Sequence, residues 1–264
     1  MHTSDESQRQ QRLSGVRRLV VKIGSSSLTG ADGQLHRPTI RRLVHDLVEL
    51  REQGLEIILV SSGAVAAGMG RLGMTQRPRS IADLQAVAAV GQNLLVHAYE
   101  SLFRRHDVPV GQVLLTAGDI LDDRQRYNHV RNTFRQLFAL GVVPVINEND
   151  SVAVAELRAT LGDNDMLAAY VANLVQAQLL VILSDVDGVY RRYVQGKGED
   201  LLVEVEPDQE LRLQGGGNRL GRGGIETKLR AAHLLSACGE MTIVAHARKH
   251  RLPDLLTGNH LGTL

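Results

Sequence analysis

Residues 142–165 read VVPVINENDSVAVAELRATLGDND, and the reading of this stretch decides the fold. Val142, Val143, Val145 and Ile146 form a short apolar run after Gly141, as in a strand covered on both faces of a parallel sheet. The run breaks abruptly into Asn147, Glu148, Asn149 and Asp150. A second polar cluster, Gly162, Asp163, Asn164 and Asp165, then precedes the apolar helical run MLAAYVANLV. Two clusters of acids and amides therefore frame one site at the end of a strand. For Asp163 the alternative is an ordinary helix cap.

Working outward, strands and helices alternate. RLVVKI at 18–23 is a β-branched run that stops at Gly24, and SSSLTGADG follows as a loop of small residues. Lys22 interrupts this run just before its carboxyl end, where open α/β sheets bind ligands, and Gly24 would let backbone approach a phosphate. A surface lysine at a strand end is the plainer reading of Lys22. Pro38 opens an amphipathic helix with Ile40, Leu43, Val44, Leu47, Val48 and Leu50 on its apolar face, and Gly54 stops it. LEIILV at 55–60 is the next strand. Ser61, Ser62 and Gly63 form the turn into a small-residue helix starting near Ala64, where Ser62 either meets a substrate anion or caps the helix. Residues 81–103 are a long, mostly apolar helix, suited to central packing or a subunit interface. A strand at 108–115 and a helix at 127–140 lead back to the opening stretch.

Beyond Asp165, a strand at 179–183 ends in Ser184, Asp185, Val186, Asp187 and Gly188, the last two a turn signal. Charged sequence at 191–212 lacks periodicity and reads as a surface excursion. QGGGNRLGRGG at 214–224 is a glycine-rich segment able to close over a ligand, and the helix IETKLRAAHLLSAC follows. Lys228 lies in that helix's first turn, where a cation opposes the helix dipole and suggests an anion nearby, although a lone exposed lysine there costs little. Residues 241–245 form the last clear core strand, and NHLGTL is a candidate for one more.

Thirty basic residues against 29 acidic ones leave a formal charge of +1, so no global field recruits nucleic acid or an anionic membrane. An anionic ligand must be met locally. The single cysteine, Cys238, excludes an intrachain disulfide and every CxxC motif. Residues 1–15 are polar without an apolar core segment and predict a disordered tail rather than a signal peptide. A soluble, cytoplasmic protein is expected, with residues 16–264 as one domain. GMGRLG at 68–73 matches GxGxxG formally, but it begins well past the strand-to-helix turn that a dinucleotide fingerprint requires. There is no P-loop, HExxH, EF-hand or GxSxG pattern.

Taken together, VVKIGSSSLTG, VSSGAVAAGMGRLG, VPVINENDSVAVAE, GDND, VILSDVDGVY and GRGGIETKLRAA, in this order over about residues 17–264, resemble the amino acid kinase superfamily and, within it, the glutamate 5-kinase family. The resemblance implies an open, mainly parallel eight-stranded α/β sheet between helical layers, with an N-terminal part binding glutamate and a C-terminal part binding ATP. It implies that Lys22 and Lys228 contact phosphate and that Asp165 orients them. Ser62, Gly63, Asp150 and Asn164 match substrate-binding positions. Lys22, Gly24, Ser184, Asp185, Arg222, Gly223, Gly224 and Lys228 match ATP-binding positions. The implied reaction is phosphorylation of the γ-carboxylate of L-glutamate by MgATP, the first step of proline biosynthesis. Mg²⁺ would be held mainly by ATP phosphates and water.

Related kinases act on N-acetylglutamate, aspartate, carbamate or UMP, so the acceptor rests on finer chemistry. A free ammonium needs an acceptor, which Asp150 would supply, and an N-acetylated substrate would leave that carboxylate unpaired. The other readings kept open are a regulatory protein that retained the fold and an oxidoreductase built on GMGRLG. The resemblance also suggests a homodimer or homotetramer, proline as a feedback inhibitor, and pathway coupling to glutamyl phosphate reductase. No PUA domain is expected after the kinase region, and hence no RNA partner. Arg222 stands where the family pattern has a small or hydroxyl residue, Glu226 adds an acid close to Lys228, and the segment 156–162 runs about two residues long.

Overall fold

In the computed structural model the described residues are 2–30, 33–153, 164–194, 197–206 and 224–264. After helix α1 (His2–Ser14), strand β1 (Arg18–Ile23) leads through the short α2 (Ser25–Leu28) into α3 (Arg37–Glu52). Strand β2 (Glu56–Ser61) is followed by α4 (Ala64–Arg71) and α5 (Ile81–Phe103), then β3 (Val110–Leu115), α6 (Ala117–Leu121) and α7 (Arg124–Ala139). Strand β4 (Val143–Glu148) precedes α8 (Asn164–Val175) and β5 (Leu179–Ser184). The chain continues with β6 (Tyr190–Val194), β7 (Lys197–Leu201), α9 (Ile225–Ser236), β8 (Met241–His246) and α10 (Leu252–Leu255).

The central sheet has the order β3-β4-β2-β1-β5-β8, and every neighbouring pair is parallel. All carboxyl ends therefore meet at one edge, and β1 stands between β2 and β5. Eight strands in one sheet were expected. Among the described residues the main sheet has six, and β6 and β7 pair antiparallel as a separate ribbon. The polar residues of this ribbon lie within the stretch read as an irregular excursion. At the other edge, residues of the NHLGTL ending make a single bridge, Val244 to Thr263, rather than a strand.

Strand parity divides the core. Leu19, Val21 and Ile23 pack with α3, α5 and α10 on one face, whereas Val20 packs with α8 and α9 on the other. Lys22, two residues beyond Val20, falls on the same side as α8. That helix is apolar nearly all round, as a helix buried in a layer must be: its residues from Asp165 to Ala169 are all buried.

Helices α4 and α5 touch through backbone. A Cβ on Gly68 would stand 2.0 Å from the carbonyl oxygen of Val87, and one on Gly91 would stand 1.8 Å from that of Ala64. Gly70 similarly abuts the carbonyl of Gly33. The glycines of GMGRLG thus serve helix packing, and Gly73, at φ 67°, serves the turn after α4.

Within the expected disordered tail at 1–15, His2–Ser14 form a helix, α1. Its Leu13 and Arg9 are buried, and the Arg9 guanidinium donates to the carbonyls of Val203 and Leu261. Those tertiary contacts, absent from any local pattern, supply the packing without which a short polar helix is marginal in water. Among the described residues no helix is long and apolar enough to cross a membrane.

Candidate active site

The site forms where β1 ends. Lys22 on β1, Asp165 in the first turn of α8 and Lys228 in the first turn of α9 converge, and all three are buried at 3%, 0% and 4% exposure. The Lys22 ammonium pairs with Oδ1 of Asp165, and Lys228 Nζ lies 3.0 Å from Oδ2. Burial pushes the Asp165 carboxyl up, but the two ammoniums outweigh it and hold the group below the usual carboxylate range. It is ionised at neutral pH. The trio itself carries two positive charges and one negative, and it stands at the carboxyl end of β1, where open α/β sheets receive ligands.

Thr227 completes this centre. Its Oγ1 lies 2.9 Å from Oδ2 of Asp165 and 2.9 Å from the carbonyl of Gly224. Gly224 is the N-cap of α9, with extended backbone and no side-chain cap, so the first amides of the helix are left to other partners. Gly24 occupies the turn after β1, and its N–H donates to the carbonyl of Leu183. A Cβ there would sit 3.8 Å from Lys22 Nζ, filling space in front of the ammonium.

On the β2 and β4 side the polar residues form a relay. Asn164 Nδ2 donates to Ser62 Oγ at 2.7 Å and to Asn147 Oδ1 at 2.9 Å. Asn147 Nδ2 in turn donates to Gln92 Oε1 on α5 at 2.7 Å, which fixes the orientation of the Asn147 amide. Ser62 is therefore not the cap of α4. That position belongs to Gly63, whose φ of 111° and ψ of 0° are open to glycine at little cost. Among the described residues Oδ1 of Asn164 is buried without a hydrogen-bond partner. Asp150 is half-buried in the turn after β4, close in sequence to Asn149, whose N–H donates to Leu115.

On the β5 side Ser184 is buried at the strand end, its hydroxyl donating to Asp185 at 3.1 Å, and Asp185 is exposed. The Ser184 carbonyl accepts from Ala247, tying β5 to the end of β8. Nearby, Asp187 accepts from Lys249 and from Tyr190. The candidate residues Arg222 and Gly223, and the cap candidate Asp163, lie outside the described residues. The structure thus brings Lys22, Asp165 and Lys228 into contact, joins Ser62 to Asn164, and sets Gly24 and Gly63 at adjacent strand ends, linked by the Ser62 N–H to the Ile23 carbonyl. Three participants were not singled out in the sequence. Thr227 had a signal, as a hydroxyl residue in a helix first turn after a glycine-rich run. Asn147 lay in the opening polar cluster without an assigned role, and Gln92 had no local signal.

Residues 17–245 match the model of the amino acid kinase family. Over 259 residues the chain is 50% identical to glutamate 5-kinase of Pseudomonas putida (strain F1), covering 96% of this chain and 68% of that protein. Glutamate 5-kinase of Ectopseudomonas mendocina (strain ymp) is equally similar, at 50% identity with the same coverage. Among solved structures, a Giardia carbamate kinase superposes with a TM-score of 0.62 at 15% identity, over 92% of this chain and 96% of that one. An isopentenyl phosphate kinase of T. acidophilum superposes with a TM-score of 0.63 at 17% identity, over 93% and 98%. These two speak to the fold, and the sequence relatives speak to the branch. The chain belongs to the amino acid kinase family, and within it to the glutamate 5-kinases.

Proposed function

We propose that this chain transfers the γ-phosphoryl group of MgATP to the γ-carboxylate of L-glutamate, giving L-glutamyl 5-phosphate and ADP as the first step of proline biosynthesis. The observation that carries this reading is the pair of buried ammoniums on one carboxylate. Phosphoryl transfer moves charge onto the transferred oxygens and the leaving ADP, and fixed cations stabilise that charge more than the ground state. Lys22 and Lys228 supply the cations, and Asp165, clamped by Thr227, keeps both in place. A carboxylate oxygen attacks the γ-phosphorus as the bond to the β-phosphate oxygen breaks, and no proton has to be removed from the nucleophile. The backbone amides that follow Gly24 and Gly224 add uncharged donors.

The acceptor lies on the β2 and β4 side, where Ser62, Gly63 and Asn164 hold glutamate and Asp150 receives its ammonium. ATP lies on the β5 and β8 side, against Ser184, Asp185 and the segment 222–228. Both oxygens of Asp165 are engaged by lysines and Thr227, so this carboxylate is not free to ligate a cation. The donor set fits Mg²⁺ arriving on the ATP phosphates. We further propose a cytoplasmic homodimer or homotetramer with proline as feedback inhibitor. The labile acyl phosphate suits prompt reduction by glutamyl phosphate reductase.

The test is ADP release from MgATP with hydroxylamine present to trap the acyl phosphate, run with glutamate, N-acetylglutamate and aspartate. Hydroxamate formed with glutamate alone supports the reading. Equal rates with N-acetylglutamate would remove Asp150 from its role, and no hydroxamate from folded protein would sink the reaction.

A further inference from the structure

A second concave site lies at the far end of α4 from the Ser62–Gly63 turn. It is a cavity of about 470 Å³ among α3, α4 and α5, within the usual range for small-molecule pockets. Ile40 and Ala67 on its floor are buried, and Leu94 and Ala98 of α5 add apolar wall. Its rim is cationic: Arg37 and Arg41 from α3, Arg71 from the end of α4, and Arg105 just past α5, with His97 beside them. Among the described residues no carboxylate lines it. Among the described residues, none of these four guanidiniums makes a side-chain hydrogen bond or ion pair. The neighbouring acid of α5, Glu100, already pairs with Arg104 at 3.4 Å and stands 4.0 Å from His97.

Four guanidiniums around an apolar floor repel one another unless an anion joins them, and the arginine fork matches phosphate oxygens in shape and charge. The rim asks for several negative charges and the floor for an uncharged body. We propose that this cavity is a second ligand site, for a small organic polyphosphate of the nucleoside diphosphate type, separate from the lysine–carboxylate centre. Helix α4 gives the site a route to the acceptor pocket. Ala67, Gly70 and Arg71 line the cavity from the middle of the helix to its end, and Gly63 caps the other end, eight residues or about 12 Å from Arg71. The glycine crossing with α5 leaves no side-chain cushion to absorb a shift of α4. Occupancy of the cavity therefore alters the glutamate requirement, a coupling that rests on the proposed reaction, whereas binding itself does not.

The experiment titrates GDP and, separately, pyrophosphate into the intact protein by calorimetry, with adenylyl imidodiphosphate in excess to fill the ATP site. The parent, Arg37→Gln/Arg41→Gln and Arg71→Gln/Arg105→Gln are compared, with melting curves to show that each is folded. Saturable GDP binding to the parent, weakened roughly tenfold or more in either double variant, is expected, the loss of at least one charge-assisted contact. Hydroxamate formation without GDP should be unchanged in both variants, and GDP should shift the glutamate KM of the parent alone. No saturable GDP binding at millimolar concentration, or binding undiminished in both variants, overturns the site. Pyrophosphate binding as tightly as GDP overturns the role given to the apolar floor. GDP binding lost in the variants while the parent forms no hydroxamate would keep this site and remove the proposed reaction.

Discussion

Oγ1 of Thr227 and Oδ2 of Asp165 stand 2.9 Å apart, on the same carboxylate oxygen that Lys228 approaches at 3.0 Å. The threonine has one hydroxyl proton, and among the described residues Asp165 and the Gly224 carbonyl are acceptors in reach. A charged acceptor is the stronger, so the hydroxyl steadies the carboxylate that holds both lysines. Thr227→Val keeps the shape and removes the donor. The expected result is a fall in kcat of about tenfold or more, from a lost bond to a charged group of roughly 1.5–3 kcal/mol, with smaller changes in either KM. Thr227→Ser should restore most of the rate. Unchanged kcat in the valine variant would assign the hydroxyl to the Gly224 carbonyl alone.

Asp165→Asn leaves two ammoniums buried against an amide. Removing one partner from a buried ionic cluster costs about 3–5 kcal/mol. Urea unfolding should show a loss of that size, and adding Lys22→Met should recover part of it, because one of the two cations facing the amide is then gone. A double variant no more stable than the single would mean that the cost lies in packing.

The pH dependence has a definite sign. The folded-state pKa of Asp165 lies below its unfolded value of about 3.9, so its stabilising contribution is complete at neutral pH. The contribution is lost only as acid takes the pH below the unfolded value and through the folded one. The stability gap between parent and Asp165→Asn should stay flat from about pH 6 to 9 and close below about pH 4. A gap that changed near neutrality would point to a different titrating group.

Gly91→Ala tests the helix crossing. Its Cβ would fall 1.8 Å from the Ala64 carbonyl oxygen, a backbone atom that cannot rotate away. Overpacking of this kind costs about 1–3 kcal/mol, and here α4 must move with its Gly63 cap. Thermal melting should fall and the glutamate KM should rise together. A loss of stability with unchanged KM would separate the crossing from the acceptor pocket.

Much of this architecture was legible from pattern. The apolar runs ending in polar residues marked β1, β2, β4, β5 and β8, because strands covered on both faces leave little choice of residue. The helix at 81–103 was readable to its ends, with Ser80 capping it. Lys22, Asp165 and Lys228 were legible as oddities, a lysine in a buried strand, an acid opening an apolar helix and a cation in a first turn. Gln92 was not, since a glutamine in the middle of a helix is ordinary until the fold brings Asn147 to it across 55 residues. The helix at the N-terminus was hidden for the same reason: Arg9 finds its acceptors 194 and 252 residues away. The eight-stranded sheet was what the family resemblance implied; the apolar runs themselves mark the six strands observed, whereas the β6-β7 ribbon falls in charged sequence whose lack of alternation hid it.

The position of β1 between β2 and β5 has a consequence for how such a protein can diversify. Under the proposed assignment, everything that would select the acceptor lies between residues 56 and 165, and most of what would hold the phosphoryl donor lies between 179 and 246, with only Lys22 and Gly24 on the seam. The two recognition tasks occupy successive lengths of one chain rather than interleaved ones. A single crossover in the α8 to β5 connection, near Gln176, would exchange one substrate preference while leaving the other inherited whole.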